Sequence, residues 1–272
     1  MSYPVLHQYL ARLSDTTGAA SSIWLADDGR ALGRFFNCTM SSAFQPIRRL
    51  DSGAAVAYEG LARSVAAADE GLSLWKLLDH AASDDESIEL DRLCRMLHAI
   101  NFFRQADEGQ PDLYLNVHDR LLSAVSSNHG YAFRRILDAL ELPLARVVLQ
   151  LPAATPQQGW LLNYVADNYR RNGFRFAVNA TSPREALQLL DRVRPDVFKL
   201  DTRELQDEAG LAELLERSAD AGLQVVFKRL ESPQALAQLR ALVQPVLAQG
   251  YLLDTPQALL RTARPGAQAA AV

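Results

Sequence analysis

The sequence is poor in cysteine. Cys38 and Cys94 are the only two in 272 residues, and their spacing fits neither a metal site nor a disulfide framework. A reducing compartment, the cytoplasm, is the expectation. No apolar run nears the roughly 20 residues that span a bilayer. The N-terminus lacks the charged-then-apolar pattern of a secretion signal. Basic blocks are missing too: the net charge is −4 and the pI is near 5.8. A surface for duplex nucleic acid is therefore not expected, and a small anionic ligand would need locally concentrated positive charge. A phosphate-cradling glycine loop, zinc-type spacing and a nucleophile–histidine–aspartate set are also absent.

What is present is apolar patterning. Hydrophobic residues make up 49% of the chain, enough for one large core. Val5, Leu6, Tyr9, Leu10 and Leu13 give residues 4–16 the face of an amphipathic helix. Apolar segments 23–26 and 31–36 flank Asp27-Asp28-Gly29, a hairpin signal. Residues 1–40 read as an appendage, 41–262 as the main domain and 263–272 as a flexible tail.

From residue 41 eight extended segments recur, at 44–50, 56–63, 113–117, 147–151, 175–178, 197–200, 224–227 and 246–249. Helical patterns lie between most of them, at 131–140, 158–171, 183–193, 204–219 and 232–242, and one more carries Leu90, Leu93, Leu97 and Ile100 on one face. Ser182-Pro183 and Ser232-Pro233 read as N-caps followed by first-turn prolines. Asp51-Ser52-Gly53 is too short for a parallel crossover, so the first two strands form an antiparallel hairpin. The remainder reads as βα units. The expected fold is α/β, a TIM-like (β/α)8 barrel with one antiparallel strand and a small N-terminal helix–hairpin appendage.

Chemistry in such a barrel gathers at the C-terminal strand ends. Those ends carry Glu59, Asn116, Gln150, Asn179, Lys199, Asp201, Lys228 and Gln249. Plain solvation of strand ends would produce a polar ring equally well. His118, just past Asn116, reads as a substitute ligand or as a hydrogen-bonded surface group. Trp24, Trp75 and Trp160 read as packing residues.

Six motifs follow in order over 41–256: Phe44-Gln45-Pro46-Ile47, Tyr58-Glu59-Gly60-Leu61-Ala62-Arg63, Leu90-Asp91-Arg92, Leu115-Asn116-Val117, Lys199-Leu200-Asp201 and Gln249-Gly250-Tyr251. The series resembles the EAL domains of bacterial cyclic-di-GMP signalling, with Gly60 in place of the alanine of the name. The resemblance implies a phosphodiesterase in which two divalent cations, magnesium or manganese, activate a water and are held by carboxylates. Glu59 and Asn116 match metal ligands, and Lys199 matches a lysine near the attacking water. Gln150 stands where a second glutamate is implied. Asn179 and Ala180 stand for an aspartate pair, and Lys228 for a later glutamate. Glu231 matches a further glutamate. The segment 179–183 lacks the implied glycine-rich sequence. Gln45, Leu61, Arg63, Gln249, Tyr251 and Pro256 match positions around the nucleotide. Arg63 could otherwise pair with Glu59, and Tyr251 could be a buried aromatic.

Charge decides against a metal pair. Two divalent cations bring four positive charges, against one sure carboxylate, Glu59, and a nearby Asp201. Lys199 and Lys228 add more positive charge, and like charges about 4 Å apart repel by about 4 kcal/mol at an effective dielectric near 20. The expectation is a catalytically degenerate member with no metal cofactor, acting as a nucleotide receptor or regulatory binding module. The alternatives are a nucleotide-independent regulator that binds another protein, and an active phosphodiesterase using magnesium or manganese. Lys228 has two readings: it meets a ligand phosphate while paired with Glu59, or it fills the emptied site against Glu59 or Asp201. Cyclic-di-GMP and a protein are the partners implied, and a homodimer stays open.

Overall fold

The computed structural model describes residues 3–15, 22–36, 38–65, 83–106, 111–118, 129–152, 159–205 and 208–260. The strands are β1 (Ile23–Leu25), β2 (Ala31–Phe35), β3 (Cys38–Arg49), β4 (Ala55–Ser64), β5 (Asp112–Asn116), β6 (Val147–Leu151), β7 (Arg175–Ala180), β8 (Val197–Asp201), β9 (Gln224–Lys228) and β10 (Leu247–Ala248). The helices are α1 (Pro4–Asp15), α2 (Asp84–Phe103), α3 (His129–Ala139), α4 (Gly159–Arg171), α5 (Pro183–Val193), α6 (Glu208–Asp220) and α7 (Pro233–Arg240). Trp75 and the expected tail lie outside the described residues. Among the described residues no helix is long and apolar enough to cross a membrane.

Eight strands close into a barrel. β4 through β10 pair in parallel, in chain order. β3 runs the other way and seals the ring, antiparallel to β4 on one side and to β10 on the other. The Asp51-Ser52-Gly53 link dictates this reversal, with Gly53 at φ +71° in the turn.

The interior has two storeys. Ile47, Ala57, Tyr114, Val148, Ala177, Val197 and Val226 form one apolar cluster, with Leu247 packed on it. Side chains on a strand repeat every second residue. The next inward position on the eight strands is therefore Gln45, Glu59, Asn116, Gln150, Asn179, Lys199, Lys228 and Gln249. An apolar floor thus carries a ring of eight polar groups at the C-terminal strand ends. The opposite strand faces pack with the helices into the larger core.

Local signals set the helix starts. Ser83 and Glu86 make a reciprocal capping box at the head of α2. Ser182 and Ser232 cap α5 and α7, each with a proline in the first turn.

β3 is longer than the expected 44–50. Its first residues pair with β2 and its later ones close the barrel. The hairpin of β1 and β2 lies along α2. A Cβ on Gly33 would meet Leu97 Cδ1 at 2.8 Å and Leu93 Cδ1 at 2.9 Å, so any larger residue there would have to push these leucines aside. Asn101 of α2 clamps Ala31: its Oδ1 accepts from the Ala31 amide at 2.8 Å, and its Nδ2 donates to the Ala31 carbonyl at 2.8 Å. Leu6 and Leu10 of α1 are buried in the same core. Tyr3 sets its ring edge-on to Phe103 and accepts a hydrogen bond from Arg146. The apolar faces of α1 and of the β1–β2 hairpin thus join the core around α2.

Trp160 overturns its reading as a packing residue. It is 66% exposed on α4, because α4 turns Leu161 and Leu162 inward instead. Trp24 is half-buried, with the Arg34 guanidinium 5.4 Å over its ring.

Candidate functional site

A cavity of about 490 Å³ opens above the polar ring. Gln45, Glu59, Leu61, Asn116, Gln150, Asn179, Lys199, Lys228, Gln249 and Tyr251 all line it, so these sequence-derived positions converge. At its centre is Glu59. Lys199 Nζ donates to Glu59 Oε2 at 2.8 Å, and Gln249 Nε2 donates to the same oxygen at 2.7 Å. Asn116 Nδ2 donates to Oε1 at 2.7 Å. Burial pushes the Glu59 carboxyl upward, but the Lys199 charge and these donors prevail and hold it near 2.

Lys199 is almost fully buried on β8. Besides Glu59 it donates to Gln150 Oε1 at 2.5 Å and to Gln249 Oε1 at 3.0 Å. An ammonium demands acceptors, so it fixes both amides with their oxygens toward it. Gln150 Nε2 then faces away, a buried donor without a partner among the described residues. Gln249 uses its amide nitrogen on Gln45 Oε1 at 3.0 Å as well. Gln45 Nε2 in turn donates to the Asp254 carbonyl at 2.9 Å. The Asp254 carboxylate is held by buried Arg48, at 2.6 Å from Nε and 3.0 Å from Nη2. A chain of contacts thus runs from Glu59 to the segment that carries Tyr251.

Lys228 follows neither expected pairing. It donates to Asn179 Oδ1 at 2.7 Å, and Asn179 Nδ2 donates to the Leu151 carbonyl at 2.9 Å. Glu59 is already engaged by three donors. Asp201 accepts from Arg203 at 2.9 and 2.7 Å and from Arg229 at 3.4 Å. Burial and the neighbouring Lys199 charge lower the Lys228 pKa.

Three expected contact residues are not among those lining the cavity: Arg63, Asp201 and Pro256. Arg63 donates to the Ala62 carbonyl at 2.9 Å and does not reach Glu59. Asp201 caps the short 3₁₀ turn at Thr202–Glu204 and turns to the arginines of the rim. Pro256 precedes Gln257, whose backbone bridges to Phe44 beside the barrel. Ala180 faces the helix layer and is buried there. His118 is buried, contrary to its reading as a surface group, and its amide donates to Asp91 of α2 at 3.4 Å. Tyr251 is exposed at the rim, so it is not a buried aromatic.

Arg229 was missed. It lines the cavity from the first position beyond β9, and the pair Lys228-Arg229 does not single it out, since Arg48-Arg49, Arg134-Arg135 and Arg170-Arg171 are like it. Gly60 also finds its reason. It faces His98 of α2, and a Cβ there would lie 3.0 Å from His98 Cγ. His98 is buried, shares a 2.7 Å hydrogen bond with Ser42 Oγ, and is pushed down to about 3 by burial.

The donor set does not fit a pair of divalent cations. Among the described residues no group of three His, Cys, Asp or Glu side chains comes together. The cavity lining offers carboxylates Glu59 and Glu231 against cations Lys199, Lys228 and Arg229. Hard cations need several oxygen ligands, mainly carboxylate, and Glu59 has both oxygens committed.

The EAL domain model matches residues 30–256. Solved structures share the barrel. A standalone EAL protein from Vibrio cholerae O395, in its c-di-GMP-bound form, is 18% identical, with a TM-score of 0.64 over 84% of this chain and 97% of that one. BlrP1 from Klebsiella pneumoniae, as a manganese and cyclic-di-GMP complex, is 21% identical with a TM-score of 0.68; 80% of this chain covers 56% of that one. The FimX EAL domain from Xanthomonas citri, in complex with c-diGMP, is 15% identical with a TM-score of 0.67 over 82% of this chain and 91% of that one. No curated protein matches the chain. A family match that begins inside the N-terminal hairpin, just before β2, and runs through the whole polar ring, on the same barrel, makes this chain a member of the EAL domain family.

Proposed function

We propose that this EAL domain is a receptor for cyclic-di-GMP that binds without a divalent cation and does not hydrolyse it. One observation carries the reading. The single carboxylate of the polar ring is neutralised by Lys199, while Lys228 donates to a neutral amide. The mouth is thus poised for an anion. A phosphate oxygen can accept from Lys228 as it would from a cation. Gln45, Leu61, Asn116, Gln249 and Tyr251 line the cavity around the rest of the ligand. The Vibrio, Klebsiella and Xanthomonas structures carry this nucleotide, which makes it the ligand to test. Both described cysteines are unpaired, in keeping with a reducing cytoplasm.

Calorimetry with cyclic-di-GMP in EDTA, then in manganese, tests the reading. Equal binding in both, without a linear dinucleotide product, is expected. Linear product appearing with manganese would overturn it.

A second reading is a protein-binding role. Trp160 and Tyr164 are exposed one turn apart on α4, and aromatics are enriched in interfaces. Failure to bind the nucleotide in either buffer would favour it.

A further inference from the structure

We propose that Arg229 is the ligand-capturing arginine of this mouth, parked on Asp201 and transferred to a phosphate group when the anion enters. The proposal rests on the receptor reading and adds a residue to it.

The backbone shows why Arg229 is where it is. Its φ is +58°, in the left-handed region that favours glycine. Such strain persists only where the surroundings over-determine it. Here they do: Thr202 Oγ1 donates to the Arg229 carbonyl at 2.8 Å, and the next amide, of Leu230, donates to the Gln249 carbonyl at 3.0 Å. Both bonds fix the peptide that follows Arg229, the β8–β9 pairing of Asp201 with Lys228 fixes the chain before it, and Arg229 contributes to the lining of the cavity.

The tether on the side chain is weak by comparison. Arg203 holds Asp201 through two contacts of 2.9 and 2.7 Å, and its backbone amide adds a third at 3.0 Å. Arg229 adds one long contact of 3.4 Å, with 58% of its side chain exposed. Asp201 therefore stays neutralised if Arg229 leaves. A guanidinium offers a planar fork that matches two phosphate oxygens, and Lys228, one residue before it, supplies a second positive charge. Two consecutive cations, one fixed on Asn179 and one loosely held, suit a phosphate mono- or diester.

Asp201 is then a competitor for Arg229, and that gives the test its opposite signs. Cyclic-di-GMP is titrated calorimetrically in EDTA into the full chain and into Arg229→Gly, Asp201→Asn and the double variant. Arg229→Gly should weaken binding on the order of tenfold or more, the range for losing a hydrogen bond to a charged group. It should also unfold at a higher temperature, because glycine relieves the left-handed backbone. Asp201→Asn keeps an N-capping side chain and should tighten binding, but only while Arg229 is present. An Arg229→Gly affinity equal to the parent's overturns the proposal and leaves the receptor reading intact. So does an equal Asp201→Asn gain in both backgrounds, since that is a general field effect. A parent chain that does not bind overturns the receptor reading and this proposal together.

Discussion

Lys199 Nζ lies 2.8 Å from Glu59 Oε2, across the barrel interior from β8 to β4. The pair is nearly buried, so each partner makes the other tolerable. Removing one strands a charge, which costs about 3–5 kcal/mol. Glu59→Gln should lose stability of that size, and Glu59→Gln with Lys199→Met should recover much of it. Chemical denaturation checks both.

The same pair sets an acid limit. The Glu59 carboxyl sits at about 2 instead of its ordinary 4.5. Its stabilisation is complete above the higher value and fades as pH falls toward the lower one, because the unfolded chain takes up the proton first. Denaturation of Glu59→Gln should show a flatter pH dependence in that window.

Gly60 and His98 are predicted to be coupled. Restoring alanine at 60 crowds the His98 ring, and overpacking of this kind costs about 1–3 kcal/mol. In a His98→Ala background the added methyl fills space, so Gly60→Ala should become neutral or stabilising. His98 also titrates. Held neutral at about 3 against an ordinary 6.5, it makes the unfolded state the better proton acceptor between those values, so stability falls as pH drops through them. His98→Gln should remove that part of the slope.

Much of the fold was legible because its signals are local. β6 and α5 fall within the residues expected of them. The strand ends also revealed seven members of the polar ring, each two positions after an apolar floor residue, whereas Gln45 on the reversed strand sits two positions before Ile47. The extra length of β3 was not legible, because pairing with β2 stabilises it rather than its own sequence. The partner of Lys228 depends on which acceptors other donors leave open, and no spacing encodes that. Arg229 was hidden for a different reason: a left-handed turn brings a residue beyond the strand end back to the cavity.

Metal addition offers a further prediction. Manganese or EDTA should leave the melting temperature of the parent unchanged. Gln150→Glu, Asn179→Asp and Lys228→Glu together restore carboxylates that the family resemblance implies at three positions lining the cavity. That variant should melt higher in manganese, by about 2.7 kcal/mol of added stability at a hundredfold excess over Kd. Differential scanning calorimetry reads both cases.

Asp254→Ala should loosen the rim. Arg48 is buried and would lose its carboxylate, and the Asp254 backbone carbonyl that accepts from Gln45 would lose its anchor. Hydrogen exchange over 250–257 should quicken, with stability lower by about 3 kcal/mol.

β10 contributes only Leu247 and Ala248 to the wall, yet Gln249 just after it touches Gln45, Glu59 and Lys199 at once. Its bond to Glu59 joins positions 190 residues apart. Contacts that distant repay the chain only after its loop-closure entropy has been spent. Until that last stave docks, Glu59 and Lys199 lack a shared neighbour and the bore stands open along one side. A barrel closed out of register at this stave would leave its central carboxylate short of a donor, so the ring of amides ties closure to a single register.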